Sequence, residues 1–395
     1  MSCYISNLPN NILEEIFCKL PITTLIQCRF VCKSWKLVLG NPNFTKLQQQ
    51  LSDTVLCVQE ICKSNRYGSR EEYTRNIHWL EFKGKSANCN IVPNSSDSFR
   101  SRFINSCNGL VCLLVLPSPH IFPGVAFMSI ANPVTGESMH LPPLSMGRNL
   151  YSYLCGLGFS PKTNRFKAVR IFPDGLDFQA EVCTIGASYW RSIEVTLPRY
   201  DYFTEENREL RVKSVVFANG SLHWLIKRIE LHSIEFCVFD FDAEQFRQMA
   251  GPPPLQQGFE NRYRVGTCTY KDTLCVWESR NFLEIWQMKE YGVPESWAKV
   301  LVIKERFASL EPFVSLKNGD IVVFGWQGLW LYDPEKEMFT RLDSPENPFE
   351  KKTIRIKTSI VEGANGYDAV IKYENRWFVH KPSFVSLKNM VSQDN

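Results

Sequence analysis

The side chains able to do chemistry are spread along this sequence without the spacings that catalytic or metal sites require. Six histidines occur among 395 residues, and none stands in a His-Glu-x-x-His motif or at metal-ligand spacing from a cysteine. The sequence also lacks a Gly-x-Ser-x-Gly nucleophile motif and a glycine-rich phosphate loop, because Gly156-Leu157-Gly158 has no third glycine. The sequence therefore predicts no catalytic residue, no metal site and no cofactor.

The fourteen cysteines form no metal or redox motif either. No Cys-x-x-Cys pair occurs, and Cys57, Cys112 and Cys237 lie within apolar, strand-like runs. Reduced cysteines of this kind are typical of compartments in which disulfides are rare. The N-terminus also lacks the basic region and apolar stretch of a secretory signal. We therefore expect a cytoplasmic or nuclear location, or both.

Composition and charge exclude several classes of partner. The chain carries a formal net charge of +4, and 44% of its residues are hydrophobic. A nearly balanced charge gives no electrostatic reason to expect a nucleic acid. No apolar run is long enough to span a membrane. The sequence predicts a globular protein of more than one domain that binds neither nucleic acid nor membrane.

The residues that could build a binding surface begin with two predicted helices near the N-terminus. Asn10 or Asn11 is expected to cap the first helix with its side-chain oxygen. Pro21 ends that helix or opens the next, and Asn41-Pro42 ends the helical run. Two apolar stripes follow helical spacing. The first comprises Ile12, Leu13, Ile16, Phe17 and Leu20. The second comprises Leu25, Cys28, Val31, Cys32 and Trp35.

This N-terminal segment resembles an F-box. The resemblance rests on Leu8-Pro9, Leu20-Pro21, the string Val31-Cys32-Lys33-Ser34-Trp35 and Pro42-Asn43-Phe44, in that order. It departs from the family where Asn10-Asn11 replaces an acidic residue. The resemblance implies a small all-α domain at residues 1–46 that binds a Skp-type adaptor. Since a module of roughly 40 residues buries barely enough surface to fold alone, we expect a partner to complete its core.

The F-box resemblance assigns eleven side chains to the adaptor interface or to the core that supports it. The sequence does not separate contact from support among them. Lys33, together with Lys36, would lie near an acidic surface of the adaptor, although both lysines would equally suit a solvated helix face. The eleven residues are Leu8, Pro9, Ile12, Ile16, Leu20, Pro21, Leu25, Val31, Cys32, Lys33 and Trp35.

After residue 50 the helical period gives way to short β-branched and aromatic runs separated by Gly, Asn, Asp and Pro. Asn-Gly, the strongest two-residue hairpin signal, recurs four times, and two weaker turns fill the gaps. A repeat of about 50 residues is typical of a kelch-like β-propeller with four-stranded blades. Six turns predict six blades over residues 47–395. The turns are Asn108-Gly109, Thr163-Asn164, Asn219-Gly220, Lys271-Asp272, Asn318-Gly319 and Asn365-Gly366.

One blade can be predicted strand by strand. Its strands are expected at 212–218, 221–226, 234–241 and 246–249. The last unit has little sequence left for its outer strands. Strand-like segments just after the F-box, at 54–60 and 77–82, have no other assignment. We predict that they complete the sixth blade, because closure removes the exposed edges of an open array.

The later segments also resemble a family, the F-box-associated region of plant F-box/kelch proteins. The resemblance rests on residues 106–112, 132–136, 156–161 and 219–224. Together with the F-box it covers nearly the whole chain, and these later motifs are specific mainly in combination and order. The diglycine of true kelch repeats is absent, so the domain is expected to be kelch-like in spacing rather than a kelch propeller.

The long connections of such a propeller fall on one face. If the strands of a blade are lettered a to d, the a–b and c–d turns lie at one end and the b–c and d–a connections at the other. The short turns all belong to the first end, and long loops on a rigid scaffold usually carry binding residues. Their aromatic and Arg side chains are candidates for binding a protein substrate, although each would equally serve to pack its own loop. They are Phe122, Arg148, Tyr151, Tyr200, Tyr202, Phe203, Phe259, Tyr263 and Phe349.

The resemblance implies a non-catalytic substrate-receptor subunit of a Skp–cullin–F-box ubiquitin ligase. The Skp-type adaptor would link the chain to cullin and RING subunits, and the propeller would recruit an unknown protein target. Two alternatives stay open. The first is a propeller enzyme with a helical cap, which would need ligand histidines converging at the channel. The second is a propeller that binds a glycan or small ligand through its loop aromatics.

Overall fold

The structure is a computed structural model, and it describes most of the chain in separate ranges. These ranges are residues 8–52, 54–65, 72–83, 86–93, 100–116, 126–144, 154–174, 177–195, 212–228, 233–255, 264–270, 273–280, 282–304, 310–316, 318–325, 328–342, 358–362 and 368–391.

Four helices form the N-terminal unit. They are α1 (Asn10–Cys18), α2 (Ile22–Cys28), α3 (Lys33–Leu39) and α4 (Pro42–Leu51). Prolines mark three of the four starts. Pro9 and Pro21 hold the capping positions of α1 and α2, and Pro42 is the first residue of α4, where a missing N–H costs no hydrogen bond. Asn41 caps α4, because its Oδ1 accepts a hydrogen bond from the Asn43 N–H at 2.8 Å. Helix α4 continues past the domain limit predicted at residue 46.

The prediction that Asn10 or Asn11 caps α1 is wrong. The helix begins one residue earlier than expected, so Pro9 holds the capping position and the two asparagines lie within the first turn. The Pro9 carbonyl accepts hydrogen bonds from Ile12 N–H at 3.0 Å and Leu13 N–H at 3.1 Å. Proline has no side-chain acceptor, so the start of α1 carries no side-chain cap.

The N-terminal helices share one apolar core with the domain that follows. Phe17 is buried and makes edge-on ring contacts with Trp35, at 5.1 Å between centroids, and with Phe44, at 6.2 Å. The same cluster extends to residues far along the chain, so the chain itself supplies part of the core completion that we expected from a partner. The members outside the helices are Val55, Cys57, Val111, Val134 and Phe384.

Three strands follow the helices and pair antiparallel in chain order. They are β1 (Val55–Asn65), β2 (Glu72–Lys83) and β3 (Ser86–Pro93).

Five blades come next, each a four-stranded antiparallel meander. Blade 1 consists of β4 (Arg100–Cys107), β5 (Leu110–Leu116), β6 (Phe127–Asn132) and β7 (Glu137–His140). Blade 2 consists of β8 (Leu154–Ser160), β9 (Arg165–Asp174), β10 (Asp177–Thr184) and β11 (Arg191–Ile193). Blade 3 consists of β12 (Val212–Ala218), β13 (Ser221–Arg228), β14 (Ser233–Asp240) and β15 (Gln245–Ala250). Blade 4 consists of β16 (Arg264–Tyr270), β17 (Thr273–Ser279), β18 (Leu283–Met288) and β19 (Trp297–Ile303). Blade 5 consists of β20 (Glu311–Ser315), β21 (Ile321–Gly325), β22 (Gly328–Asp333) and β23 (Met338–Arg341).

Two C-terminal strands, β24 (Thr358–Glu362) and β25 (Asp368–His380), precede the short helix α5 (Leu387–Val391). Strand β25 pairs with β1 along its length, and the closing sheet has the order β24-β25-β1-β2-β3. It contacts both ends of the series of blades, since β25 touches β20 of blade 5 and β4 of blade 1. None of the helices in the described part of the chain is long and apolar enough to cross a membrane.

The prediction that strands after the F-box-like segment pair with the C-terminal strands is confirmed by the β1–β25 ladder. The prediction of six four-stranded blades is wrong. The propeller has five four-stranded blades, and the closing sheet has five strands because three rather than two strands follow the helices. Counting turns gave the repeat length but did not show how the strands near the two chain ends share one sheet.

Backbone conformation explains why the same turn residues recur. Both residues of the Asn108-Gly109 and Asn219-Gly220 turns have positive φ, as a two-residue hairpin requires. The c–d turns use another device. Asn132, Asp240 and Asp333 each accept hydrogen bonds from the backbone N–H groups two and three residues ahead. The short turns are therefore specified by local chemistry.

The N-terminal helices lie at the end of the propeller that carries the a–b and c–d turns. Arg29 of the second inter-helix turn donates from Nη1 to the carbonyl of Val134, in the c–d turn of blade 1, at 3.5 Å. Val55 pairs with His380, and the His380 Nδ1 is 2.8 Å from the Ser106 hydroxyl near the a–b turn of blade 1. The b–c and d–a connections therefore leave from the opposite end. The prediction that the short turns all lie at the first end is wrong, because only two residues separate β9 from β10 and β21 from β22.

Candidate functional site

Seven large apolar side chains on the N-terminal helical unit are exposed: Leu47 and Leu51 on α4, and five between the start of α1 and the end of α3. Phe30 is 83% exposed, Leu37 75% and Val31 60%, and Ile12 and Ile16 are exposed as well. Exposed apolar groups concentrated in one small module are typical of a surface that another protein covers. These five residues are called the exposed apolar set below.

Helix α1 shows how the exposed apolar set arises. Leu13 and Phe17 are buried, whereas Ile12 and Ile16, one position earlier in each case, are exposed. Residues four apart share a helix face, and successive residues are about 100° apart around the axis. The sequence of α1 therefore provides one apolar stripe for its own core and a second, neighbouring stripe that remains uncovered.

The structure divides the eleven predicted interface residues by exposure. Leu8, Leu20 and Trp35 pack against the buried core as partly buried neighbours, so their first role is support. The exposed members are Pro9, Ile12, Ile16, Val31 and Lys33. The partly buried members are Leu8, Leu20, Pro21, Cys32 and Trp35. Leu25 is fully buried.

Sequence reasoning missed Phe30 and Leu37, the two most exposed members of the set. The spacing predicted one apolar stripe through the second helical run, but the run is broken between α2 and α3. Cys32 has extended backbone angles, with φ −158° and ψ 166°, so α3 restarts there and its faces do not continue those of α2. The sequence did indicate their exposure, because Phe30 and Leu37 are large and apolar but lie outside the predicted apolar stripe.

Polar and charged groups lie close to the exposed apolar set in the sequence. The Cys32 Sγ is 3.1 Å from the Ser34 Oγ. The Ser34 hydroxyl, and after it the backbone amides of Trp35 and Ser34, hold the pKa of the Cys32 thiol below its ordinary value. Lys33 and Lys36 are exposed on α3. Two positive charges therefore lie beside the set on α3, which has no acidic residue, while Glu15 precedes Ile16 on α1.

Two histidines, His223 and His380, are buried in positions that suit structural roles. His223 is buried with Nε2 2.9 Å from the Tyr291 hydroxyl, and burial, assisted by Arg247, lowers its pKa to about 3. His380 is buried beside Ser106, and burial lowers its pKa to about 3. Within the described ranges, no group of three His, Cys, Asp or Glu side chains could hold a metal ion.

Two family models match the chain, one for each part of the fold. Residues 5–47 match the F-box domain, and residues 69–386 match the F-box associated beta propeller domain. The chain is an F-box protein with an associated β-propeller. Helices α1 to α3 and the first part of α4 lie within the F-box match, and the family resemblance predicted from the sequence is confirmed.

Plant relatives of this F-box protein are similar over most of their length. F-box protein CPR1 of Arabidopsis thaliana is 23% identical over 398 residues, which covers 93% of this chain and 92% of that protein. F-box protein At3g07870 of the same plant is 25% identical over 331 residues, covering 75% of this chain and 72% of that protein. A puromycin-hydrolyzing peptidase of Mycobacterium tuberculosis aligns at a TM-score of 0.38 and 14% identity, over 70% of this chain and 45% of that one.

The nine predicted substrate-binding residues all lie outside the described residues, so they stay predictions. Each belongs to a b–c or d–a connection, and the ends of the strands that flank these connections lie at the end of the propeller opposite the F-box. Phe122 lies between β5 and β6, and Phe349 between β23 and β24. The other seven fall in the d–a connections that precede β8, β12 and β16: Arg148, Tyr151, Tyr200, Tyr202, Phe203, Phe259 and Tyr263.

Proposed function

We propose that this F-box protein is the substrate-receptor subunit of a Skp–cullin–F-box ubiquitin ligase. The exposed apolar set carries the proposal, because a Skp-type adaptor would cover it. Moving an exposed Leu or Phe side chain out of water contributes about 1.5–3 kcal/mol. Phe30, Val31 and Leu37 together therefore offer several kcal/mol against the cost of association.

The adaptor would connect the chain to the cullin and RING subunits, and the complex would work in the cytoplasm or nucleus. Lys33 and Lys36 give the F-box surface a local positive charge. Against an acidic adaptor surface, such charges raise the association rate and restrict the docking orientation more than they add affinity.

In this role the chain performs no chemistry of its own. It would hold a target protein beside the enzyme that carries ubiquitin, which raises the effective concentration of the target's lysines. His223 and His380 suit a scaffold, since both are buried and each lies within hydrogen-bond distance of a hydroxyl group.

The target would bind at the end of the propeller opposite the F-box. The c–d turns of blades 1, 3 and 5 at the F-box end are held by their own Asn or Asp side chains, whereas the d–a connections of blades 1 to 3, each at least nine residues long, leave from the other end. Loops on a rigid scaffold are where binding residues concentrate. The nine aromatic and arginine residues named above are the candidates on that face.

The proposal is tested by co-purification with a Skp-type adaptor. The variant Ile16→Asp/Val31→Asp changes two exposed residues that the core does not use. The matched control is Tyr189→Asp, which changes an apolar residue 67% exposed on blade 2. We expect the wild type and the control to retain the adaptor and the double variant to lose it, with all three melting at similar temperatures. Retention by the double variant, or no binding by the wild type, would overturn the proposal.

A further inference from the structure

The chain segment after β25, residues 381–391, lies between the F-box and the propeller and touches both. Phe384 belongs to the apolar cluster of the F-box helices. Leu387, three residues later, belongs to the cluster between blades 1 and 2. Both side chains are buried. One short segment therefore contributes to the core of each part of the protein.

Two polar side chains of blade 1 fix the path of this segment. The Asn132 Nδ2 donates to the carbonyls of Ser383 at 2.9 Å and Val385 at 2.7 Å. The Glu137 carboxylate accepts from the Leu387 N–H at 2.7 Å and from the Ser386 hydroxyl at 3.0 Å. Asn132 also holds its own turn through Oδ1, so the turn and the segment are locked by one side chain.

The a–b turn of blade 1 is shaped to receive the same segment. A Cβ added to Gly109 would lie 2.2 Å from the Ser383 Cβ, a distance that real Cβ atoms do not adopt. The absent side chain therefore makes room for Ser383. Two of the sequence motifs, residues 106–112 and 132–136, therefore have a structural role, because Gly109 and Asn132 within them hold the C-terminal segment in place.

Arg29 of the F-box contacts residues 381–391 as well, through the Phe384 ring. The Arg29 guanidinium lies over the Phe384 ring, 5.8 Å from its centroid, while Nη1 donates to the Val134 carbonyl. Arg29 follows α2 directly, and Val134 is in the turn that Asn132 opens. Arg29 thus contacts both the C-terminal segment and the turn of blade 1 against which that segment packs.

We infer that Phe384 is a positioning residue that fixes the orientation of the F-box on the propeller. It enters the F-box core from a segment that blade 1 holds rigidly by four hydrogen bonds. The covalent connection between the two parts is the backbone between α4 and β1, so their relative orientation depends on packing contacts such as that of Phe384. For ubiquitin transfer, which rests on the proposed function, Phe384 would set where a bound target lies relative to the adaptor.

The test measures the distance between the two parts in the full-length chain. Spin labels are attached to ketone-bearing amino acids introduced at Gln50 in α4 and Ala243 in the c–d turn of blade 3, both exposed. Cysteine labelling is avoided because the chain has fourteen cysteines. We expect the wild type to give one narrow distance distribution and Phe384→Ala to widen it at least twofold. Phe384→Met, which keeps an apolar side chain of similar length, should restore a width close to that of the wild type.

Two further variants separate positioning from general stability. Leu283→Ala removes a buried side chain of blade 4, remote from the segment, and should lower the melting temperature without widening the distribution. Arg29→Ala removes the contact that the F-box makes with the Phe384 ring and should also widen the distance distribution. This variant provides the test if Phe384→Ala does not fold. An unchanged width in the Phe384→Ala and Arg29→Ala variants, or equal widening in Leu283→Ala, would overturn the inference.

Adaptor affinity, measured on the same samples, separates this inference from the proposed function. Phe384→Ala should bind the adaptor within about twofold of the wild type, because the exposed apolar set is unchanged. If the wild type fails to bind the adaptor but the distance distribution widens as expected, the proposed function is wrong and the positioning role of Phe384 stands.

Discussion

The side-chain amide of Asn105 makes two hydrogen bonds with the backbone of Leu157. Its Nδ2 donates to the Leu157 carbonyl at 2.8 Å, and its Oδ1 accepts from the Leu157 N–H at 2.9 Å. Asn105 lies in β4 and Leu157 in β8, the first strands of two separate sheets. Both residues are buried. The amide replaces the backbone hydrogen bonds that two neighbouring blades cannot make directly.

Replacing Asn105 should destabilise the propeller strongly. Asn105→Ala leaves the buried N–H and carbonyl of Leu157 without partners, and each such group costs about 1–3 kcal/mol. We expect the free energy of unfolding to fall by roughly 2–4 kcal/mol in denaturant titrations. The control Asn318→Ala changes an exposed asparagine and should stay within about 0.5 kcal/mol of the wild type. Equal effects in the two variants would contradict the inter-blade role of Asn105.

A pair of glycine substitutions should separate backbone strain from loss of space. Gly109 and Gly136 both have positive φ, at 85° and 72°, but an added Cβ has no neighbour within 4 Å at Gly136. Gly136→Ala should therefore cost about 1–2 kcal/mol through strain alone. Gly109→Ala should cost roughly 1–3 kcal/mol more, because its Cβ displaces Ser383.

The same pair can be followed by digestion with a carboxypeptidase. We expect residues 381–391 to be removed faster in Gly109→Ala than in Gly136→Ala. Similar rates and similar free energies of unfolding in both variants would show that the turn of blade 1 does not seat the C-terminal segment.

Phe30 and Leu37 should each matter for adaptor binding without mattering for folding. Each is at least three-quarters exposed, so truncation to alanine removes little from the core. If the adaptor buries them, Phe30→Ala or Leu37→Ala should weaken binding by about 1.5–3 kcal/mol, which is roughly 10- to 150-fold in the dissociation constant. Calorimetric titration with the adaptor measures this, and the melting temperature serves as the control. Unchanged affinity would remove the residue from the interface.

Acid should weaken the fold through His223 and His380. Burial, joined by Arg247 in the case of His223, lowers the pKa of each folded histidine to about 3, whereas an unfolded histidine has a pKa of about 6.5. Between these values the unfolded chain binds protons that the folded chain does not, so stability falls as the pH falls below about 6.5. The slope is up to about 1.4 kcal/mol per pH unit for each histidine.

Comparison of the wild type with His380→Asn isolates this contribution from that of the carboxylates. Asparagine can still hydrogen-bond Ser106 but does not titrate. We expect the free energy of unfolding of the variant to depend less steeply on pH in the acidic range, while the two proteins run parallel above about pH 7. Parallel curves throughout would mean that His380 is protonated in the folded state as easily as in the unfolded one.

Blade 3 was the part of the fold most closely predicted from the sequence. Strand β12 was predicted to the residue, and β14 and β15 to within one residue at each end. The reason is local, since Asn219 and Gly220 both tolerate positive φ and Asp240 caps the next turn with its own side chain. Where a turn is specified by its own residues, its strands follow from the sequence.

The features that the sequence did not predict depend on contacts between distant residues. The extended conformation of Cys32 separates α2 from α3 and exposes Phe30 and Leu37. Phe384 packs in a cluster with F-box residues that precede it by more than 300 positions. Neither spacing nor turn chemistry reports such contacts. The exposed half of the predicted adaptor set could be identified only once the core of the helices was known.

The pairing of β1 with β25 also constrains synthesis of the protein. The first strand after the F-box must wait for a partner that begins at Asp368 and ends at His380. The separation between the paired residues Val55 and His380 is 380 − 55 = 325 residues, which a ribosome adds in about 16–65 s at roughly 5–20 residues per second. During that time the F-box is outside the ribosome while its neighbouring strand edge is open. A chaperone or a nascent-chain complex with the adaptor would meet the F-box before the ring of blades has closed.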